Sequence, residues 1–173
     1  MSKKLILGGA RSGKSRYAES QALDIAKAHN KKLIYIATAQ AGDNEMQLRI
    51  QRHIDERSQQ WQVIEEPFCL ASVLSNYNDP SYCILIDCLT LWITNNLLNN
   101  SLASSKEKFL ESIKCSQATV LMVSNEVGSG IVPMGALSRE FVDESGWLHQ
   151  ELSPICDEVA LIVAGLPLFL KKP

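Results

Sequence analysis

A glycine-rich segment near the start of the chain constrains its fold more than any other feature. Residues 8–15 read Gly-Gly-Ala-Arg-Ser-Gly-Lys-Ser, which satisfies G-x-x-x-x-G-K-[S/T], and they directly follow the apolar run Leu5-Ile6-Leu7. A strand, a glycine-rich turn and a helix in this order form a cradle whose backbone N–H groups point at anionic oxygens. The segment, called the phosphate loop below, therefore predicts nucleotide binding rather than a plain strand-to-helix connection.

The phosphate loop assigns roles to individual residues. We expect Lys14 to reach the β- and γ-phosphates and the Ser15 hydroxyl to hold Mg²⁺. The remaining loop residues are expected to contact phosphate mainly through the backbone: Gly8, Gly9, Ala10, Arg11, Ser12 and Gly13.

Short apolar runs alternate with stretches long enough for helices along the whole chain. This alternation predicts an α/β fold with a mostly parallel sheet and helices on both faces. Together with the phosphate loop, we expect a fold of the phosphate-loop NTPase (RecA-like) type. A single domain over residues 1–173 is expected, because domains commonly hold about 100–200 residues. Strands are predicted at 4–7, 33–38, 61–64, 83–87, 119–124 and 159–164, with an edge strand at 166–170. Helices are predicted at 13–30, 44–57, 69–77, 89–98, 106–115 and 138–156.

Charge balance and cysteine usage limit the compartment and the partners. The chain carries 17 Lys plus Arg against 19 Asp plus Glu, a formal net charge of −2. No nucleic-acid partner is expected, because no basic field is available to attract one. The five cysteines show no C-x-x-C spacing and indicate reduced packing residues of a cytoplasmic protein. We also expect no membrane span, since no run approaches the ~20 apolar residues that a span needs. No signal peptide is expected, because the N-terminus runs straight into the first predicted strand without a signal-peptide pattern.

The predicted helix after the second strand carries a second candidate site. Arg49, His53 and Arg57 are spaced four apart and share one helix face. Guanidinium groups beside an imidazole would attract polyphosphate and hold the imidazole neutral. A solvated basic face that happens to include a histidine explains the spacing equally well. Of the other histidines, His29 is expected to face solvent, and His149 is expected to be a packing or polar-rim residue of the last predicted helix.

Acidic residues follow two predicted strands. Asp87 ends the run 83–86, as expected of a second phosphate-site acid that holds Mg²⁺, although an aspartate there could simply cap the next helix. Glu65 and Glu66 follow the strand at 61–64 and are candidates to contact ribose or base, or are merely solvated. The loop 125–133 contains glycines that allow close approach of the backbone to a ligand, and its alternative reading is a flexible connection.

Five segments together resemble one known family. They are GGARSGKS at 8–15, YIATA at 35–39, RIQRH at 49–53, DCLTLW at 87–92 and SNEVGSGIVP at 124–133. The chain resembles the bifunctional adenosylcobinamide kinase and adenosylcobinamide-phosphate guanylyltransferase of cobalamin biosynthesis, over almost its whole length. The resemblance implies that His53 becomes covalently guanylylated. It also implies guanine-nucleotide contacts at Gly8 to Ser15, Ala37, Thr38, Ala39, Ile54, Asp55, Glu56, Arg57, Glu65 and Asp87.

The resemblance implies two reactions. ATP or GTP on the phosphate loop phosphorylates the hydroxyl of the adenosylcobinamide aminopropanol arm, with Lys14 and Mg²⁺ gathering the charge. GTP then gives GMP to adenosylcobinamide phosphate through His53, yielding adenosylcobinamide-GDP. It further implies a homo-oligomer, a trimer with sites near subunit boundaries. Some members carry glutamate at Asp87, asparagine at His149 and a second histidine at Arg52, so His53 is the single local nucleophile candidate here.

Other functions compete with this one. In an ordinary small-molecule kinase with one activity, His53 would be incidental and the protein would not become guanylylated. A regulatory GTP-binding switch is disfavoured, because the chain has no N-K-x-D guanine-reading motif. A chain that kept only the guanylyltransferase step is also compatible with these residues.

Overall fold

Seven strands and five helices make up the regular structure in residues 2–39 and 60–172, the part that the computed structural model describes. The strands are β1 (Lys3–Gly8), β2 (Lys32–Ala37), β3 (Trp61–Glu65), β4 (Tyr82–Asp87), β5 (Thr119–Asn125), β6 (Glu158–Val163) and β7 (Leu166–Lys171). The helices are α1 (Lys14–His29), α2 (Leu70–Asn76), α3 (Leu89–Leu98), α4 (Leu102–Cys115) and α5 (Ala136–Leu152).

The strands join in one sheet in the order β3-β2-β4-β5-β1-β6-β7. Each neighbouring pair is parallel except β6 and β7, which form an antiparallel hairpin. Ala164 and Gly165 make its turn, and both have positive φ. The mostly parallel sheet confirms the predicted fold class, and β7 is an edge strand as its Pro167 predicts.

Two apolar cores cover the two faces of the sheet. Side chains alternate along β4, so that Ile84 and Ile86 face α3, α4 and α5, whereas Cys83 and Leu85 face α1. On α1, Ala18, Ala22 and Ala26 recur every four residues and are buried against the sheet. Small side chains at this spacing let α1 pack close to the strands. The first turn of α1 lies at the carboxyl edge of the sheet.

Several boundaries differ from the predicted ones. α4 begins at Leu102, four residues earlier than predicted, because Leu102 is itself buried in the core and Ser101 takes the position before the helix. α5 ends at Leu152 rather than at residue 156, since Pro154 lacks the backbone N–H that would continue the helix. The predicted helix 44–57 lies outside the described residues.

The five cysteines are free thiols in different settings. Cys83 and Cys156 are buried, and burial raises the pKa of each thiol to about 12, so both serve as packing residues. Cys69 and Cys115 are exposed, so the packing interpretation is wrong for these two. No helix in residues 2–39 and 60–172 is long and apolar enough to cross a membrane.

Candidate functional site

The predicted site residues that the structure describes gather at the carboxyl edge of the sheet. Strand register places Gly8 beside Asn125 and Ala37 beside Asp87. Because β1, β2, β4 and β5 run parallel, the loops after all four strands leave the sheet at this edge, where α/β folds bind their ligands.

The phosphate loop has the backbone that its glycines predict. Gly13 precedes α1 with φ 94°, a left-handed conformation that a side chain would strain. A Cβ on Gly8 would lie 2.5 Å from the Ser12 Oγ and 2.7 Å from the Ile162 carbonyl oxygen. The Gly165 N–H donates to the Ser12 carbonyl at 2.8 Å, so the β6–β7 turn supports the loop from outside. Loop and helix together line a cleft of about 580 Å³.

Lys14 lies within this cradle with little contact to solvent. Lys14 is only 9% exposed, and its Nζ donates a hydrogen bond to the Gly9 carbonyl at 3.0 Å. Burial lowers the pKa of Lys14, and the nearby Cys88 and Asp87 partly offset this effect. A desolvated ammonium group held by one carbonyl is well suited to receive phosphate oxygens.

Asp87 lies at the end of β4 on the same face of the sheet as α1. The Tyr35 hydroxyl donates to its Oδ2 at 2.8 Å, which fixes the carboxylate in place. Cys88, not Asp87, takes the position before α3, and that position makes no side-chain capping bond. The helix-cap interpretation of Asp87 is therefore wrong. Tyr35 is a site residue that the pattern of charged residues does not reveal, because it sits inside a buried strand.

Thr38 joins the ends of β2 and β4. Its hydroxyl donates to the Cys88 carbonyl at 2.7 Å and accepts the Cys88 N–H at 2.8 Å. Its own carbonyl accepts the Asn95 side-chain amide at 2.9 Å, and the residue is fully buried. Since these groups are engaged within the protein, Thr38 shapes the site by holding the segment after Asp87, between its neighbours Ala37 and Ala39.

The two glutamates after β3 have different settings. Glu66 Oε1 accepts the N–H groups of Phe68 and Cys69 at 2.9 and 2.7 Å, so it closes the turn that leads into α2. Glu65 is exposed and pairs in register with Ala37 at the carboxyl edge. Of the two, Glu65 is therefore the one positioned toward the site.

Asn125 is a polar group of the site that residue type alone did not single out. Leu121 and Val123 of β5 pack in the core beneath α1, so alternation puts Asn125 on that same face. β5 lies between β1 and β4, and Asn125 is therefore placed between the phosphate loop and Asp87. The strand order supplies this neighbourhood, and the order cannot be read from a sequence.

Comparison with known proteins gives the family. Residues 4–170 match the family described as cobinamide kinase / cobinamide phosphate guanyltransferase. The chain belongs to this family. It is 49% identical over 170 residues to the bifunctional adenosylcobalamin biosynthesis protein CobP of Pseudomonas aeruginosa, covering 96% of each chain. It is 32% identical to the bifunctional adenosylcobalamin biosynthesis protein CobU of Escherichia coli, covering 96% of this chain and 98% of the relative.

A solved structure confirms the fold class of this family member. An ATPase domain of known structure superposes with a TM-score of 0.52 over 92% of this chain and 68% of that chain, at 15% identity. At this identity the likeness concerns the fold alone. It agrees with the predicted phosphate-loop NTPase architecture.

The described residues fit a nucleotide-bound magnesium ion. Within residues 2–39 and 60–172 no cluster of three or more His, Cys, Asp or Glu side chains could hold a metal by itself. Magnesium at phosphate sites needs only one or two carboxylates, because phosphate oxygens and water complete its shell. Ser15 and Asp87 are the residues that would hold the ion.

We expect Asp87→Asn to lower turnover at least tenfold while the free energy of unfolding changes by no more than about 1 kcal/mol. The substitution keeps the shape and the Tyr35 contact but removes the charge that would attract magnesium. Steady-state rates across a magnesium titration, beside urea unfolding, measure both effects. Tyr35→Phe is the matched control, since it frees the carboxylate without changing its charge. Normal rates and normal magnesium dependence in Asp87→Asn would contradict the metal role.

His149 supports the site from the opposite face of the sheet. Its Nε2 shares a hydrogen bond with the fully buried Ser124 hydroxyl at 2.8 Å, next to Asn125 in β5. Burial lowers the pKa of His149, and the charge of Glu126 partly opposes the shift. This contact agrees with the packing or polar-rim role predicted for His149.

Replacing His149 by glutamine is expected to flatten the pH dependence of stability. The folded state favours neutral imidazole, so the unfolded chain takes up its proton first as pH falls below the ordinary value of 6.5. The contribution of His149 to the free energy of unfolding is therefore fully present above pH 6.5. It is lost as the pH falls from 6.5 toward the lowered pKa of the folded state. Urea unfolding from about pH 7.5 to about pH 5 measures the slope. His29→Gln changes an exposed histidine and serves as the control, and equal slopes in the two variants would count against this account.

Proposed function

We propose that this protein phosphorylates adenosylcobinamide with ATP or GTP and then transfers GMP from GTP to the resulting adenosylcobinamide phosphate. The observation that carries the proposal is a complete phosphate loop whose buried Lys14 lies close to Asp87, in a chain that matches the family over residues 4–170. Both reactions break a phosphoanhydride bond of a nucleoside triphosphate, so one such cradle can serve both.

In the kinase reaction the phosphate loop positions the triphosphate, and Lys14 stabilises the negative charge that develops on the phosphate oxygens during transfer. The acceptor hydroxyl attacks the γ-phosphorus in line with the departing diphosphate. The α1 dipole and the loop N–H groups stabilise the same oxygens. A bound magnesium ion would neutralise part of the phosphate charge, and Ser15 and Asp87 would hold it.

In the transferase reaction His53 would attack the α-phosphorus of GTP, expel pyrophosphate and carry GMP until adenosylcobinamide phosphate displaces it. His53, with its neighbours Ile54, Asp55, Glu56 and Arg57, lies outside the described residues. The placement of the other two histidines supports the assignment. His29 ends α1, roughly 22 Å from Lys14 at 1.5 Å per residue, and His149 is bonded to Ser124 on the far face of the sheet.

Three wider features belong to the same proposal. The chain acts as one domain over residues 1–173, in the cytoplasm, where its free thiols stay reduced. It works as a homo-oligomer, which we propose to be a trimer. The exposed apolar side chains of the β6–β7 hairpin support self-association: Val163, Leu166, Leu168 and Leu170.

Two half-reactions, assayed separately, test the proposal. With adenosylcobinamide and γ-labelled ATP or GTP, label should appear in adenosylcobinamide phosphate. With adenosylcobinamide phosphate and α-labelled GTP, label should appear in adenosylcobinamide-GDP and, without acceptor, on the protein. Phosphorylation without guanylyl transfer would favour the single-activity kinase. Guanylyl transfer alone would mean that the kinase step is lost, and GTP binding with neither product would favour a regulatory switch.

A further inference from the structure

Asn125 carries a carboxamide that the described part of the protein does not engage. It is the last residue of β5 and is partly exposed at the carboxyl edge of the sheet. Its side chain makes no hydrogen bond to any other described residue, whereas its backbone N–H donates to the Thr90 hydroxyl at 2.7 Å. A carboxamide offers two N–H donors and an acceptor oxygen without carrying a charge. The polar end of Asn125 is therefore available to a ligand.

Strand register places this carboxamide beside the phosphate loop and just beyond Asp87. Asn125 pairs with Gly8 of β1, and Val123, two residues earlier, pairs with Asp87 of β4. Two residues of a strand span roughly 6.6 Å, so Asn125 lies about that much farther along the strand direction than Asp87. Val123 faces α1, and residues paired in register on parallel strands face the same side. Gly8, Asp87 and Asn125 therefore share the α1 side of the sheet.

The γ-phosphate of a bound triphosphate would lie in the same neighbourhood. In a phosphate loop the backbone N–H groups hold the α- and β-phosphates, and the lysine reaches the β- and γ-phosphates. Burial lowers the pKa of Lys14, and the charges of Cys88 and Asp87 partly offset this effect, so both groups are near its ammonium group. The γ-phosphate would thus lie on the Asp87 side of Lys14, where β5 ends at Asn125. The α-phosphate would lie farther from Asn125.

Two backbone hydrogen bonds fix the end of β5 between its neighbours. The Asn125 N–H donates to Thr90, in the first turn of α3, and the Glu126 N–H donates to the Gly8 carbonyl at 3.1 Å. The first bond ties β5 to the helix that follows Asp87, and the second ties it to the phosphate loop. A side chain on a strand that is held in this way keeps its position more precisely than one on a loop.

The adjacent Glu126 is less suited to contact the γ-phosphate. Its Oε1 accepts the Gly128 N–H at 2.7 Å, so this carboxylate helps to shape the loop after β5. A carboxylate would also repel a phosphate group, whereas the neutral carboxamide of Asn125 can donate a hydrogen bond to it. The residue type and the position therefore both favour Asn125.

We propose that Asn125 is a catalytic residue of the kinase reaction and that its carboxamide donates a hydrogen bond to the γ-phosphoryl group during transfer. The inference rests on the proposed function and adds a residue that acts on the chemistry of one of its two reactions. The acceptor oxygen bonds to the γ-phosphorus, and the bond from this phosphorus to the β–γ bridging oxygen breaks. Its electron pair leaves on the nucleoside diphosphate, and the hydroxyl proton passes through the transferred phosphoryl group to water.

Transfer of GMP makes a different demand on the same triphosphate. The bond that breaks there joins the α-phosphorus to the α–β bridging oxygen, so the new charge develops one phosphate farther from Asn125. A contact with the γ-phosphate would then contribute to binding of GTP but little to the rate at saturating GTP. Asn125 is therefore expected to separate the two reactions, unlike Lys14.

Two substitutions of Asn125 and one control test this separation. Asn125→Ala removes the donor, and Asn125→Asp keeps the shape but places a negative charge beside the γ-phosphate. Asn76→Asp makes the same change at an exposed asparagine that ends α2. For each variant we would measure kcat for phosphorylation of adenosylcobinamide, the rate of protein labelling with saturating α-labelled GTP, and the affinities for GTP and for GDP by equilibrium titration.

The kinase kcat should fall about thirtyfold or more in Asn125→Ala and further in Asn125→Asp, whereas protein labelling should stay within about threefold of wild type. Affinity for GTP should fall in both variants, and affinity for GDP should change by less than about twofold, because GDP lacks the γ-phosphate. The control should match wild type in all four measurements.

Three results would overturn the assignment of Asn125. An unchanged kinase kcat in both variants would mean that the carboxamide does not act in the reaction. Equal losses in phosphorylation and in labelling would indicate a structural role at the phosphate loop. Equal losses of affinity for GTP and GDP would mean that the contact is not with the γ-phosphate. If wild-type protein phosphorylates no adenosylcobinamide, the proposed function fails, and the affinities for GTP and GDP then decide whether Asn125 contacts the γ-phosphate.

Discussion

Replacing Lys14 by alanine is expected to lower kcat/KM for both half-reactions by at least about a hundredfold. In the proposed mechanism both reactions use the triphosphate held at the same loop, and the buried Lys14 contacts its oxygens. The apo protein should lose no stability, because burial lowers the pKa of this lysine and its charge is therefore costly to keep in the fold. Activity and stability are thus expected to separate at this residue.

Thermal unfolding with and without GTP makes the separation measurable. At GTP about a hundredfold above Kd, wild type should gain about 2.7 kcal/mol, roughly 5–10 °C in Tm, whereas Lys14→Ala should gain almost nothing. Lys4→Ala is the control at another largely buried lysine, whose Nζ pairs with Glu158 at 3.1 Å. In contrast to Lys14→Ala, Lys4→Ala should have a lower free energy of unfolding but a normal increase in Tm with GTP. If GTP stabilised Lys14→Ala as much as it stabilises wild type, this loop would not be the triphosphate site.

The sequence predicts the phosphate loop well because everything that defines it is local. The glycines, the lysine and the preceding apolar run are adjacent in the chain, and the structure gives Gly13 the left-handed backbone that this turn needs. The strands are equally predictable, since buried parallel strands appear as continuous apolar runs. Helix ends are harder, because α4 starts at Leu102 for a reason that depends on the core it meets.

What the sequence does not predict is which loops become neighbours. Asn125 belongs to the site because β5 lies between β1 and β4, and no local pattern encodes that order. Tyr35 reaches Asp87 from the adjacent strand β2, across 52 positions of chain. Glu66 shows the reverse case, in which a plausible site residue is used to close a turn. The phosphate loop can therefore be predicted from local sequence, whereas the residues that surround it depend on the tertiary arrangement.

The largest effect of all is expected at His53, which we propose carries GMP, as the family resemblance implies. GTP labelled on the α-phosphorus should leave label on wild-type protein, and GTP labelled on the γ-phosphorus should not. His53→Ala should abolish both this labelling and adenosylcobinamide-GDP formation. Phosphorylation of adenosylcobinamide should persist, because the γ-phosphoryl group passes directly to the acceptor hydroxyl.

The chain has three histidines, so the labelled residue can be established by exclusion. His29→Ala and His149→Ala should both retain the label, since His29 ends α1 far from the loop and His149 is bonded to Ser124. The linkage should be acid-labile and base-stable, as a phosphorus–nitrogen bond is and a serine ester is not. Label that survives in His53→Ala, or adenosylcobinamide-GDP formed by it at the normal rate, would exclude a covalent step at His53. Surviving label would mean that another residue carries GMP. Product formed at the normal rate without label would mean that GMP passes directly from GTP to the acceptor, with no protein nucleophile.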